Sequence, residues 1–238
     1  MLIIAHRGAS ADFPEQSGAA IAAAWAQGAD GVELDLRLTA DGRLLLHHDP
    51  TLARCCGDPR AVARLDSRQR AGLNACRACA DLPPEPPLLL EEALELVPTD
   101  RLLMLELKEG PGQVAPLSRA LGRRSRGLLL ISFHPGTLRE ARRALPGLPA
   151  LWLRAGDSPP AAATRRRWLR TCREEGLAGL DLQAARINQD LAGRLRAGGL
   201  GLGAWTVDDA PQARRLRLLG VDWLTTNRPG EMRQALVD

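Results

Sequence analysis

Gly31-Val32-Glu33-Leu34-Asp35-Leu36 is the stretch on which the fold turns. On an extended chain successive side chains point to opposite faces, so Glu33 and Asp35 share one face and Val32, Leu34 and Leu36 the other. Two carboxylates side by side repel unless a cation or a proton lies between them. On a surface strand the acids would face water. In a barrel ringed by helices the outward face is the buried apolar one, so the same alternation turns Glu33 and Asp35 into the interior. There a hard divalent cation, Mg2+ or Ca2+, is the natural resolution of the repulsion.

Short apolar runs recur on both sides of this stretch. Residues 2–5, 31–36, 102–107, 128–132, 150–153, 179–182, 201–206 and 222–225 read as strands. Helical spacing fills residues 17–27, 91–97, 137–145, 161–175, 188–197 and 209–219. Eight strands alternating with helices predict an α/β fold, a TIM-type (β/α)8 barrel, with residues 1–238 as one domain. A doubly wound open sheet is the alternative, but no glycine-rich dinucleotide or phosphate-binding loop supports it. The alternation breaks once. Residues 49–87 carry Cys55-Cys56, Gly57-Asp58-Pro59, Cys76-x-x-Cys79 and Pro83-Pro84-Glu85-Pro86-Pro87. This is expected to be a small insertion after the second strand, on the C-terminal rim, where long loops shape the substrate mouth.

Composition narrows the function. Of 238 residues, 45% are hydrophobic and 25% charged, enough for a large core and a polar surface. No apolar run approaches 18 residues, so no stable membrane insertion is expected, and the N-terminus enters a strand with no basic leader. The net charge of +4 is mild and the arginines are spread out. With no Tyr and two Phe, base-stacking platforms are scarce, which argues against a nucleic-acid partner. An odd count of five cysteines fits reduced thiols in a cytoplasmic protein. A zinc site or a redox pair is the sharper reading of the four in the insertion, but adjacent cysteines make an awkward tetrahedral clamp and a second CxxC is missing. No oligomeric state is specified.

The chemistry gathers at strand ends, where such barrels carry their functional groups. The first strand ends His6-Arg7-Gly8, an imidazole and a guanidinium suited to proton transfer and phosphate clamping. Thr39-Ala40-Asp41-Gly42 signals a hairpin turn leading into Leu44-Leu45-Leu46-His47-His48-Asp49; His47 should point away from its neighbour. The next barrel strand ends Glu106-Leu107-Lys108, where Glu106 completes a three-carboxylate set and shares a face with Lys108. A surface ion pair is the plain alternative. Lys108 is the one lysine among 32 basic residues. Arg and Lys are not interchangeable where a compact ammonium must fit a crowded anionic site.

In order along the chain, His6-Arg7-Gly8-Ala9-Ser10, Pro14-Glu15, Gly31–Asp35, Thr39-x-Asp41-Gly42, His48-Asp49, Leu105–Lys108, Ser132-Phe133, Trp205-Thr206-Val207 and Thr225–Pro229 resemble the glycerophosphodiester phosphodiesterase family over nearly the whole chain. The resemblance implies metal-dependent hydrolysis of a small-molecule glycerophosphodiester to glycerol 3-phosphate and an alcohol. By position His6 and His48 would be the general acid/base pair, in either order. Glu33, Asp35 and Glu106 would hold one divalent cation, and Arg7 and Lys108 would contact the phosphate. Trp205 and Phe133 would line the mouth against glycerol or the alcohol, unless they are plain core. A lysophospholipase D-like or cyclising phosphodiesterase (lyase) activity from the same site is the alternative. Two positions depart from the family pattern. Gln16 stands where the family has Asn, and Asn227 stands where it often has Asp. Neither is expected to touch the metal or histidine set.

Overall fold

The computed structural model describes residues 1–237. Eight parallel strands close on themselves: β1 (Leu2–His6), β2 (Gly31–Leu38), β4 (Leu102–Leu107), β5 (Leu128–Ser132), β6 (Ala150–Arg154), β7 (Gly179–Gln183), β8 (Gly201–Trp205) and β9 (Trp223–Thr226). Each pairs with the next, and β1 pairs with both β9 and β2, so no edge is left open. A short β3 (Leu44–Leu46) returns antiparallel against β2 through the Thr39–Gly42 turn. The chain is a TIM-type barrel, and the open-sheet alternative falls.

The strand alternation sorts the core into two layers. Ile4, Met104, Leu129, Ile131, Leu151 and Leu153 fill the barrel interior as one cluster. Their neighbours, such as Ile3, Val32, Leu34, Leu103, Leu105 and Leu130, face the surrounding helices in a second, larger cluster. Those helices are α1 (Gly18–Ala26), α3 (Leu90–Leu96), α4 (Val114–Leu121), α5 (Pro135–Ala144), α6 (Ala162–Glu174), α7 (Gln189–Ala197), α8 (Ala210–Leu219) and α9 (Pro229–Val237), with a single turn, α2 (Ala53–Cys56), in the insertion. Their starts follow local chemistry. Ser17 Oγ accepts from Ala20 N at 3.0 Å, Asn188 Oδ1 from Leu191 N at 2.9 Å and Asp209 Oδ2 from Gln212 N at 2.9 Å, each satisfying an otherwise free helix donor. Helices α4 and α9 were not expected. Pro116 lies inside α4 and Pro229 opens α9, and both blur the helical period.

Residues 49–87 do not roof the mouth as expected. They fold into α2 and two 3-10 turns over a small core of Leu45, Leu52, Val62, Leu65 and Leu89. Asp41 pins the segment by accepting from Ser67 N at 2.9 Å and Ser67 Oγ at 2.6 Å. Glu85 Oε1 accepts from Gly18 N at 2.7 Å, placing a carboxylate on the first turn of α1, where the helix dipole favours it. All five cysteines are free thiols. None joins a cluster of three metal-ligating side chains among the described residues. Among those residues no helix is long and apolar enough to cross a membrane.

Only Arg7 (φ 58°) and Gln16 (φ 65°) among the described non-glycine residues have positive φ, and Gln16 N donates to Arg7 O at 2.9 Å. Such conformers cost on the order of 1–3 kcal/mol and persist where the surroundings over-determine them. Gly8 follows at φ 84°, with room for a Cβ only 2.6 Å from the backbone of Ala20. Gly8→Ala should therefore lower unfolding free energy by roughly 2–4 kcal/mol through strain and overpacking. Urea unfolding followed by circular dichroism measures it; a loss under about 1 kcal/mol would show that the turn relaxes.

Candidate active site

Strand register levels the functional groups. His6 on β1 pairs with Glu33 on β2, and Asp35 on β2 pairs with Glu106 on β4, with Lys108 just past the end of that strand. One oxygen from each of Glu33, Asp35 and Glu106 lies within 4.8 Å of the others. All three side chains are buried. Lys108 Nζ stands 3.1 Å from Asp35 Oδ1 and 3.0 Å from Glu106 Oε1, and Arg7 Nε 2.9 Å from Asp35 Oδ2. Lys108 and Glu106 are each only 10% exposed, which excludes a surface ion pair.

Three acids against two cations leave a charge imbalance, and the titrations express it. Burial works against ionisation of Asp35, but Lys108 and Arg7 outweigh it and hold the carboxyl at about 2. Glu33 is pushed well above the usual range by burial, then by the charges of Asp35 and Glu106. Glu106 is raised to about 7 by burial and Asp35. Glu33 Oε1 is buried with no hydrogen-bond partner. Asp35 Oδ1 is likewise buried with no hydrogen-bond partner, facing only the Lys108 charge. A buried, all-oxygen set with two such acceptors and surplus negative charge fits a divalent cation.

The histidines enter from different sides. His6 Nδ1 lies 2.7 Å from Asn227 Oδ1, and His6 Nε2 lies 3.9 Å from Glu33 Oε2. His48 Nδ1 lies 2.8 Å from Asp49 Oδ1. His47 faces away and meets Thr51 O at 2.8 Å through Nε2. His6, Arg7, Glu33, His48, Glu106 and Lys108 all line one cavity of about 270 Å3, together with Phe133 and Trp205. The Phe133 and Trp205 rings meet edge to face at 5.8 Å and form its apolar wall with Ile131 and Leu153. Asp35 sits behind this surface, and no side chain of residues 49–87 lines it.

Both departures from the family pattern touch the site, against expectation. Gln16 Nε2 donates to Asp35 Oδ2 at 2.6 Å, and its Oε1 accepts from Asp35 N at 3.3 Å. Its left-handed backbone carries the amide to this carboxylate, a placement that sequence separation hides. Asn227 is the partner of His6. Its Nδ2 donates to Asp208 Oδ2 at 2.6 Å, which turns Oδ1 toward the imidazole. The insertion also contributes, from outside the cavity. Arg54 donates to Asp49 at 2.6 Å and twice to Glu15 at 2.7 Å, and Glu15 meets Arg7 Nη1 at 3.1 Å. A continuous polar brace thus joins His48 to Arg7.

Asp181 was overlooked, although Gly179-Leu180-Asp181 repeats the two-residue alternation that turned Glu33 and Asp35 inward. It lines the cavity from β7, is 1% exposed, and its Oδ1 has no partner. Gly203 on the neighbouring strand makes space for it, since a Cβ there would stand 2.4 Å from Oδ1. Burial and then Glu106 raise its carboxyl to about 8. The unfolded value is roughly 3.9, so between the two the folded chain binds the extra proton. Stability from this group is full below pH ~4 and is lost as pH rises through about 8. Asp181→Asn should melt above the wild type at pH 8–9 in chelator, and the two should converge near pH 4. Parallel melting curves across that range would show that Asp181 is ionised at neutral pH.

Residues 6–231 match the Glycerophosphoryl diester phosphodiesterase family. Over 237 residues the chain is 30% identical to the glycerophosphodiester phosphodiesterase of Caldanaerobacter subterraneus subsp. tengcongensis, covering 96% of this chain and 94% of that protein. Its fold is shared with an Oleispira antarctica phosphodiesterase solved in complex with the product sn-glycerol-3-phosphate. That match has a TM-score of 0.87 at 24% identity and covers 100% of this chain and 97% of the other. A glycerophosphodiester phosphodiesterase from Agrobacterium tumefaciens superposes with a TM-score of 0.84 at 25% identity over 100% of both chains. With the closed barrel and with these matches spanning nearly its whole length, the chain belongs to the glycerophosphoryl diester phosphodiesterase family, whose members are phosphoric diester hydrolases.

Proposed function

We propose that this protein hydrolyses glycerophosphodiesters to glycerol 3-phosphate and a free alcohol, using one divalent cation, Mg2+ or Ca2+, and His6 and His48 as general base and acid. The observation that carries this reading is the convergence of Glu33, Asp35 and Glu106 within 4.8 Å, in a cavity that both histidines, Arg7 and Lys108 line. The product bound to the Oleispira enzyme is the one this reaction releases.

A phosphodiester resists attack because its anionic oxygens repel nucleophiles. A cation held by Glu33, Asp35 and Glu106 would supply Lewis-acid stabilisation of the charge developing on the phosphoryl oxygens. Arg7 and Lys108 add fixed positive charge on the same side, where it strengthens as water is excluded. His6 is arranged to accept a proton. Ser10 Oγ also donates to Asn227 Oδ1, at 2.9 Å, and with that oxygen acting as acceptor, His6 Nδ1 carries the hydrogen and Nε2 keeps its lone pair. Burial and then the Arg7 charge hold His6 below its ordinary value, so it is neutral near pH 7. Water gives its proton to His6 Nε2 as its oxygen bonds to phosphorus. The bond from phosphorus to the alcohol oxygen breaks, and His48, oriented by Asp49, returns a proton to the leaving alkoxide through Nε2. Phe133 and Trp205 give the organic part of the substrate an apolar wall.

Three outcomes follow from this assignment. Replacing His6 or His48 by Ala should lower kcat on the order of 100- to 10,000-fold with folding intact, read by a coupled glycerol 3-phosphate assay on glycerophosphocholine. Full activity in either variant, or a cyclic phosphate as the end product, would refute the hydrolytic scheme. Chelation should abolish turnover and Mg2+ or Ca2+ restore it. Because a cation displaces protons from Glu33 and Glu106, its apparent affinity should rise with pH through about 7, the Glu106 value, and calorimetry at pH 5.5 and 7.5 should record proton release. A pH-independent affinity would count against this ligand set.

A further inference from the structure

Outside the catalytic cavity, two arginines meet on one buried indole at the C-terminal rim without an acid, and a third lies on the helix that carries the indole. Arg154 ends β6, Arg186 follows β7, and Arg167 lies on α6 beside the fully buried Trp168. The Arg154 guanidinium sits 4.9 Å from the Trp152 ring centroid and 5.3 Å from that of Trp168, and the Arg186 guanidinium 4.9 Å from Trp168. Two cations thus share one indole, held by cation–π attraction. Arg186 Nη1 donates to Ala155 O at 2.6 Å, next in sequence to Arg154. Gly156, at φ 142°, leaves the room this needs, since a Cβ there would fall on Arg186 Nη1.

Three arginines on the flanking helices are neutralised. Arg165 pairs with Asp190 at 2.9 Å, Arg139 with Glu175 at 2.9 Å and Arg170 with Glu174 at 3.7 Å. No carboxylate lies within 4.0 Å of Arg154, Arg167 or Arg186 among the described residues. Arg154 and Arg167 donate to no protein acceptor among those residues. Arg154 Nε and Arg186 Nε are buried and unpartnered, and of the four Nη atoms of the two forks only Arg186 Nη1 has a protein acceptor, Ala155 O, among the described residues. Burial, then the like charges of Arg186 and Arg167, hold Arg154 below its ordinary value. The protein has gathered mutually repelling cations on a rigid aromatic bed and supplied no counter-charge. A fork of planar guanidinium donors matches a tetrahedral oxyanion.

We propose that Arg154, Arg167 and Arg186 form a second oxyanion site, separate from the catalytic cavity, that takes a phosphate dianion, either inorganic phosphate or a phosphate monoester. It opens on the helix side of β6. Leu153, one residue earlier and on the opposite strand face, lines the catalytic cavity instead. The site therefore stands independently of the catalytic assignment, and its failure would leave that assignment untouched.

The test is calorimetric titration of inorganic phosphate into the full chain and into Arg167→Glu, at constant ionic strength. Arg167 is exposed and makes no hydrogen bond, so the variant should keep the wild-type fold, checked by melting; Arg167→Ala is the milder companion. Wild type should bind phosphate at the rim as well as in the catalytic cavity. Arg167→Glu should lose the rim equivalent, with at least a ten-fold drop in affinity, and Arg167→Ala should weaken it several-fold. A parallel titration with glycerol 3-phosphate separates the sources. A rim equivalent seen with both ligands assigns the site to monoesters, and one seen with phosphate alone assigns it to the free ion. Identical stoichiometry and affinity in wild type and Arg167→Glu would overturn the proposal.

Discussion

Three carboxylates enclosed in a closed barrel set the terms for the rest of this structure. An isolated buried charge costs several kcal/mol, and side-by-side acids add mutual repulsion. Glu33, Asp35 and Glu106 meet that cost unequally. Asp35 takes both Arg7 and Lys108 and the Gln16 amide, and stays ionised. Glu33 and Glu106 are left with raised affinity for protons, the condition in which a divalent cation is most welcome. The lone lysine stands between Asp35 and Glu106, where a branched, planar guanidinium would fit two converging carboxylates less compactly.

The backbone has adapted to the same demand. Arg7 and Gln16 sit in the left-handed region, hydrogen-bonded to each other, and each side chain ends on Asp35. Strain at these two positions is the local cost of bringing a cation and an amide to one buried acid. The histidines are held differently, each through Nδ1. His6 leans on an amide that Asp208 and Ser10 fix, and His48 on a carboxylate that Arg54 fixes. In both cases Nδ1 is occupied by that partner, and the residue lines the cavity.

The insertion acts as a brace instead of a roof. Its side chains stay outside the cavity, yet Arg54 ties Asp49 to Glu15 and so couples His48 to Arg7. Arginine serves two opposite purposes in this chain. At the brace it is matched with carboxylates on both sides. At the rim of β6 and β7 it is matched with indole faces and one backbone carbonyl, with no carboxylate, and its charge is left for the proposed ligand.

The sequence by itself determined the barrel and the acids at its heart. Alternation with a period of two is imposed by the strand, so Glu33 had to share a face with Asp35 and Glu106 with Lys108, and eight such strands separated by helices favoured a barrel over an open sheet. His6 was legible because strand ends in this architecture point to one mouth, and His48 because His48-Asp49 resembles the family pattern. Only the tertiary structure decided the partners. Gln16 reaches Asp35 across 19 residues through a left-handed turn, and Asn227 reaches His6 across 221 because β9 closes against β1. Arg154 and Arg186 meet on the Trp168 indole from two separate segments, and Arg167 lies on the helix that carries it. Hydrogen bonds and stacking between distant segments depend on where the barrel places them, and no local pattern of residues encodes that placement.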